Sequence, residues 1–315
     1  MQAICLICLA ALSSPLSQLK LAPVYGSIPS SQFHHIGSAL LALLALTRRS
    51  LVARWIPLRV PVYLQVLACW IPTLQFLLIK FSTQLGPTNG PLLTEALTYY
   101  PLLFFTAYTA SGLLQSAQID RYVHRSFGDT VLGLAAYGTF TICEGLAWPL
   151  LVWTSSLSQH LTRTAIQLIV GGVYSAISPS KMHIATIAPL LLTMIIDPHT
   201  TSPSATRLLQ SSLQLQNWTL LDRGDSITGY VSVLENQSMQ YRVLRCDHSL
   251  LGGEWQVTDQ RKKDGIVVPE PIYAVFEMLE AVRLVQTPSS TKPDSTKNAL
   301  VMYVKANLLA RTDFT

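Results

Sequence analysis

The feature that most constrains this chain is a break in composition near Asp197. Residues 1–200 contain 10 Lys and Arg against 5 Asp and Glu, whereas residues 201–315 contain 12 of each, so the formal charge of +5 belongs wholly to the apolar part. A basic excess confined to loops between apolar runs is the pattern that orients helices in a bilayer, because Lys and Arg are retained on the cytoplasmic side. Nucleic acid as a partner is excluded on the same ground: the pI near 9.0 reflects loop charges and no basic face.

A hydrocarbon core about 30 Å thick needs roughly 20 apolar residues of helix, since each backbone N–H and C=O must be satisfied within the segment. Seven apolar runs approach that length: 4–25, 33–47, 60–81, 96–114, 131–153, 161–178 and 182–196. The last two, divided by Pro179, Ser180 and Lys181, are together too long for one span. A signal peptide is the alternative for the first, but no basic residue precedes its apolar stretch. Arg48, Arg49, Arg54 and Arg59 share one loop, Arg121 and Arg125 the next but one, and Lys181 the next but one again, so alternate loops carry the charge. The pattern predicts an α-helical polytopic domain over residues 1–200, multi-pass in a bilayer, with lipid as its partner and helix faces available for homo- or hetero-oligomers.

Glu144 falls in the middle of the fifth run, where an ionised carboxylate costs several kcal/mol, and this marks it as the intramembrane functional candidate. A protonated Glu bonded to a neighbouring helix is the alternative, because the runs offer no second charge at that depth to complete a proton relay. Cys5 and Cys8 form a C-x-x-C without a second pair or a nearby His and are assigned to packing. Five cysteines, at 5, 8, 69, 143 and 246, make no disulfide framework. His34 and His35 at a run edge and His124 in a basic loop are assigned to the membrane interface. No residue set suits a metal or a cofactor. Ser178 and Lys181 match S-x-x-K in a tight connection that supplies no oxyanion hole or pocket. Gly171 and Ser175 have the spacing of close helix packing.

Beyond Asp197 the period changes. Residues 201–225 read as a linker, followed by strands at 228–234 and 239–246 with hairpin spacing and a third strand beginning at Trp255, after Gly252 and Gly253 turn the chain with positive φ. Pro271 then opens a helix to about Val285, and a short buried strand follows at 299–304.

This order, carried by SITGYVSVLENQSMQYRVLRCDHSLLGGEW (226–255), EPIYAVFEMLEAVRLV (270–285) and NALVM (298–302), with a weaker echo at 14–31, resembles the entry to a spermidine/spermine synthase-like domain of the membrane-anchored fungal type. Gly229, Val231 and Val233 match its G-x-[IV]-x-V strand, Leu244 and Asp247 its L-x-x-D strand, and Glu277, Met278 and Leu279 its E-M-L helix. The resemblance implies an α/β aminopropyltransferase-type fold, with residues 226–315 supplying only its β-meander, helix and first sheet strand. Val275 and Phe276 replace the family's Tyr-His pair, no glycine loop follows Met302, and the general base is lacking, so the resemblance implies a catalytically incomplete protein whose Rossmann portion is missing. The alternative is a polytopic membrane carrier or scaffold with a non-catalytic tail. Charge asymmetry with seven spans places the tail on the lumenal or external side, where Asn217 and Asn236 are glycosylation sequons; a cytosolic nucleoside substrate would require an even number of spans.

Overall fold

The computed structural model describes residues 1–54, 60–116, 125–157, 161–179, 181–197, 203–226 and 229–273. These form two compact units, one of residues 1–212 with 224–230 and 246–249, the other of residues 213–223, 231–245 and the chain from 250.

All seven apolar runs are helical. They correspond to α1 (Gln2–Tyr25), α3 (His34–Thr47), α5 (Pro61–Ile79), α7 (Tyr99–Ser116), α8 (Arg125–Leu157), α9 (Arg163–Ile177) and α10 (His183–Ile196), with α2 (Ser27–Gln32), α4 (Arg49–Val52) and α6 (Ser82–Leu97) between them. Among the described residues α1, α5 and residues 130–151 of α8 are long and apolar enough to cross a membrane. At 1.5 Å per residue a helix of 14 residues rises about 21 Å, short of the roughly 30 Å hydrocarbon core.

The helical unit is organised around α1. It packs against α5, α6, α7, α8 and α9, and its buried positions include Leu6, Ile7, Ala10, Ala11 and Leu21. One core joins α1, α3, α7 and α8 through Ala10, Ala11, Ala42, Tyr99, Leu103 and Phe140. A second joins α1, α5, α7 and α9 through Leu6, Leu64, Ile71, Leu102 and Tyr174. Small residues set the closest approaches: a Cβ on Gly171 of α9 would collide with the Cys69 sulfur of α5 and lie 3.3 Å from the Cys69 amide nitrogen. Local capping agrees with the sequence at α9, where the Thr162 hydroxyl accepts from the Ala165 N–H at 3.2 Å. Gly86, with φ 69°, breaks α6 into a short turn and a helix from Pro87, and so carries Glu95 back towards α1.

The predicted linker at 201–225 is structured, holding α11 (Pro203–Gln214) and β1 (Trp218–Asp225). A five-stranded sheet follows in the order β1, β2 (Tyr230–Asn236), β3 (Tyr241–Cys246), β4 (Ser249–Trp255) and β5 (Glu270–Pro271), every strand beside its sequence neighbour. The strand predicted to begin at Trp255 is β4, the fourth, and it ends there. Gly252 and Gly253 lie inside β4 and do not turn the chain: a Cβ on Gly253 would strike the Arg242 carbonyl, so this glycine admits a neighbouring backbone. Pro271 belongs to β5, paired antiparallel with Glu254 of β4, and opens no helix. A short α12 (Asp259–Lys263) capped by Thr258 intervenes. The helix predicted to Val285 and the strand predicted at 299–304 lie outside the described residues from 274 onward.

Gly171→Val in the purified protein is expected to cost about 1–3 kcal/mol by overpacking the α5–α9 contact. Gly172→Ala, whose Cβ meets nothing within 4 Å, should be neutral or stabilising by up to about 1 kcal/mol. Thermal unfolding in detergent checks both.

Candidate functional site

The apolar helical unit contains a connected chain of buried polar side chains, and Glu144 stands at one end of it. The Ser14 hydroxyl of α1 donates to Glu144 Oε1 of α8 in a short bond. Ser14 Oγ also lies 2.7 Å from His34 Nε2 of α3. The other ring nitrogen, His34 Nδ1, is 3.2 Å from Glu95 Oε1 of α6, within ion-pair range but off hydrogen-bond geometry. Glu95 Oε1 accepts from the Ser17 hydroxyl at 2.8 Å, and Ser17 Oγ accepts from the Gln75 amide of α5 at 2.7 Å. Ser14, Ser17, His34, Gln75 and Glu95 are each about 1% exposed. The ring of Tyr99 stacks on His34 at 5.2 Å and anchors its own hydroxyl on the Ala10 carbonyl at 3.2 Å.

Proton bookkeeping gives this chain a direction. With Glu144 ionised, the one Ser14 proton goes to Glu144, so Ser14 accepts from His34, whose Nε2 must carry hydrogen. Nδ1 then faces Glu95 Oε1, and two lone pairs 3.2 Å apart would repel unless a proton resides on one of them. Glu95 Oε2 is a buried acceptor with no hydrogen-bond partner among the described residues.

A second cluster lies one to two turns further along α1. Lys20 forms an ion pair with Asp197, whose side chain is 0% exposed, and both atoms engage Thr164: Lys20 Nζ at 3.2 Å and Asp197 Oδ2 at 3.0 Å. A cavity of about 10 Å³ lined by Ser17, Lys20, Gln75, Thr164 and Gln167 separates the two clusters. That is near the minimum for one water, and its polar walls supply the partners a water requires. Elsewhere in this unit a mainly apolar groove of about 430 Å³ lies between α1, α8 and α9. In the sheet unit, a depression of about 550 Å³ is walled by Trp218, Tyr241 and Trp255, which meet edge to face at 5.5 and 5.2 Å.

The sequence singled out Glu144 and gave it no partner; the structure gives it Ser14 and, through Ser14, His34. His34 is not interfacial but buried. Glu95 fell one residue outside the run 96–114 and so went unnoticed. A signal for part of the rest was present: Ser14 and Ser17 stand at i and i+3, with Lys20 three residues further on, inside an apolar run. Cys8, assigned to packing, brings its sulfur to 3.1 Å from that of Cys143. Asn217 is exposed in the turn before β1, with φ 61°. Asn236 is buried, its Oδ1 accepting from the Ser238 and Met239 amides and the Ser238 hydroxyl in the β2–β3 turn. His124 lies outside the described residues, and among those that are described no group of three or more His, Cys, Asp and Glu is placed to hold a metal.

The chain is similar to a protein of Emericella nidulans (strain FGSC A4) described as an N-terminal histidine N-methyltransferase, at 35% identity over 303 residues covering 94% of this chain. The match covers 53% of that protein, so the chain spans about half the length of the relative. No family model matches, and no solved structure matches. The similarity corrects the spermidine/spermine synthase-like reading, together with its polyamine chemistry, its aminopropyltransferase-type fold and the carrier or scaffold alternative, for a relative matched along nearly the whole chain is described as a methyltransferase. The motif residues that suggested the synthase have a local explanation. Asp247 accepts from the Tyr230 N–H at 2.7 Å, its own N–H donates to the Tyr230 carbonyl at 2.8 Å, and its carboxylate fills the place a side chain on Gly229 would occupy. Gly229 and Asp247 thus lock two strand ends together, which many β-meanders require.

Lys20→Met removes an ion-pair partner of the buried Asp197 carboxylate and is expected to cost about 3–5 kcal/mol. The double variant Lys20→Met with Asp197→Leu should recover most of that loss. Thermal midpoints of the three proteins in the same detergent check the pair.

Proposed function

We propose that this chain is part of an enzyme that transfers a methyl group to a nitrogen of an N-terminal histidine. The observation that carries the reading is the 35% identity to a protein so described, which extends over 94% of the chain. The chemistry asks for one thing the helical unit is equipped to give. When a neutral nitrogen attacks a methyl carbon, the bond from carbon to the leaving group breaks with its electron pair, the nitrogen becomes cationic, and one proton must depart. The buried imidazole and carboxylates of the chain that runs from Ser17 through Glu95, His34 and Ser14 to Glu144 are groups of the kind that can accept such a proton. No strand, glycine loop and helix cradle occurs among the described residues, so none of them is assigned to the methyl donor.

The test is transfer of label from S-adenosylmethionine by the detergent-solubilised protein to a peptide beginning with histidine, beside the same peptide acetylated at its amino terminus and one beginning with alanine. Methylation restricted to the free histidine peptide supports the reading; methylation of none or of all three alike rejects it. Glu144→Gln and His34→Gln are expected to lower the rate by roughly 10²-fold with little change in KM, as removal of a general base does.

We further place the helical unit in a lipid bilayer. Three helices of sufficient length and hydropathy support this, together with outward apolar side chains such as Ile142, Leu146 and Trp153 on α8, each about 60% exposed. The protein is expected to remain in the pellet after alkaline carbonate extraction, and release into the supernatant would refute the placement. With the sheet on the lumenal side, Asn217 is the acceptor the fold leaves open. A glycosidase-sensitive mass shift should vanish in Asn217→Gln and persist in Asn236→Gln.

A further inference from the structure

We propose that Cys8 and Cys143 form a reversible disulfide across the α1–α8 interface, a modification site that stands apart from the methyl-transfer reading. The two residues are 135 positions apart in the chain, yet their sulfurs lie 3.1 Å from one another. A disulfide requires about 2.05 Å, so closure needs only about 1 Å of relative movement, within what side-chain rotation supplies. Access is the second observation. Both cysteines line the groove of about 430 Å³, and Cys5, one turn before Cys8, lines it as well and is itself exposed. Leu9, Leu12, Leu146 and Leu150 make that groove apolar, which selects a small uncharged oxidant.

The exchange is balanced by a small disulfide. One cysteine thiolate attacks it and expels the first small thiol; the second cysteine thiolate attacks the resulting mixed disulfide and expels the other. Two protein thiols are oxidised and one small disulfide is reduced to two thiols. The bond would lie one residue from Glu144 on α8 and six residues before Ser14 on α1. It therefore fixes the two helices in the register that sets the Ser14 hydroxyl on the Glu144 carboxylate.

The test treats the full chain in detergent with 2,2′-dithiodipyridine, a small apolar disulfide, followed by digestion and mass spectrometry. The expected product is a peptide pair linked through Cys8 and Cys143, free of pyridyl groups and released by dithiothreitol, while Cys5 carries a pyridyl adduct. Cys143→Ser should leave Cys8 with a stable adduct, and Cys5→Ser should leave the link intact. Pyridyl adducts retained on both Cys8 and Cys143, a Cys5 to Cys143 link in their place, or two thiols left unreacted would overturn the proposal. The oxidised form should also melt roughly 5 °C above the reduced form, as a cross-link closing a long loop predicts. An unchanged midpoint would overturn the locking of register.

Discussion

Glu95 is the constraint on which the helical unit depends. A carboxylate withdrawn from water must be given donors or a counter-charge, and the penalty for failing to do so is several kcal/mol. Ser17 of α1 and His34 of α3 answer Glu95 directly, Gln75 of α5 answers Ser17, and Ser14 of α1 passes the connection to Glu144 of α8. Five helices are thereby committed to one register. The apolar contacts around them are non-directional, so Leu6, Leu64 and Leu102 would tolerate rotation or sliding that the polar chain does not. Tyr99 adds rigidity from a sixth helix, stacking on the imidazole whose two nitrogens must both be aimed.

Lys20 and Asp197 impose a similar constraint one to two turns further along α1. Asp197 is the residue at which the composition changes, and in the fold it terminates α10, fully buried against Lys20 and Thr164. The boundary visible in the sequence is thus also a tie that draws α10 back to α1 and α9. The two clusters share the walls of one small cavity, with Ser17 and Gln75 from the first and Lys20 and Thr164 from the second.

Much of the scaffold was legible because hydrophobic runs report helices directly: each of the seven predicted runs contains one. The β2–β3 hairpin was legible as well, displaced by about two residues from the predicted 228–234 and 239–246. Transmembrane length was not, since a run of apolar residues includes flanking turns that the helix does not. The partners of Glu144 were hidden for a different reason. Ser14 and Ser17 barely alter the hydropathy of their window, and Glu95 sits at the α6–α7 break where a run-based reading stops. Contacts between positions 20 to 130 apart in sequence, such as Ser14 with His34 and Glu144, are set by packing that no local pattern encodes. The synthase resemblance failed on specificity: Gly229 and Asp247 meet because a strand end needs a small residue beside a capping carboxylate, and that requirement is shared by unrelated sheets.

What the polar chain gains for the protein follows from comparing it with an apolar replacement. Burial of two carboxylates and a histidine is a poor route to stability, because well-packed apolar residues in the same volume usually match or exceed a buried ionic network. Stability alone therefore does not account for Glu95, His34 and Glu144. A network meant only to fix register would be most stable with every lone pair and proton matched. Here Glu95 Oε2 accepts nothing among the described residues, and the His34 to Glu95 contact lies off hydrogen-bond geometry. An incompletely matched network costs stability relative to a fully paired one, because an unpaired buried polar atom is expensive in the low local dielectric, so this one holds the register of five helices at the expense of some stability.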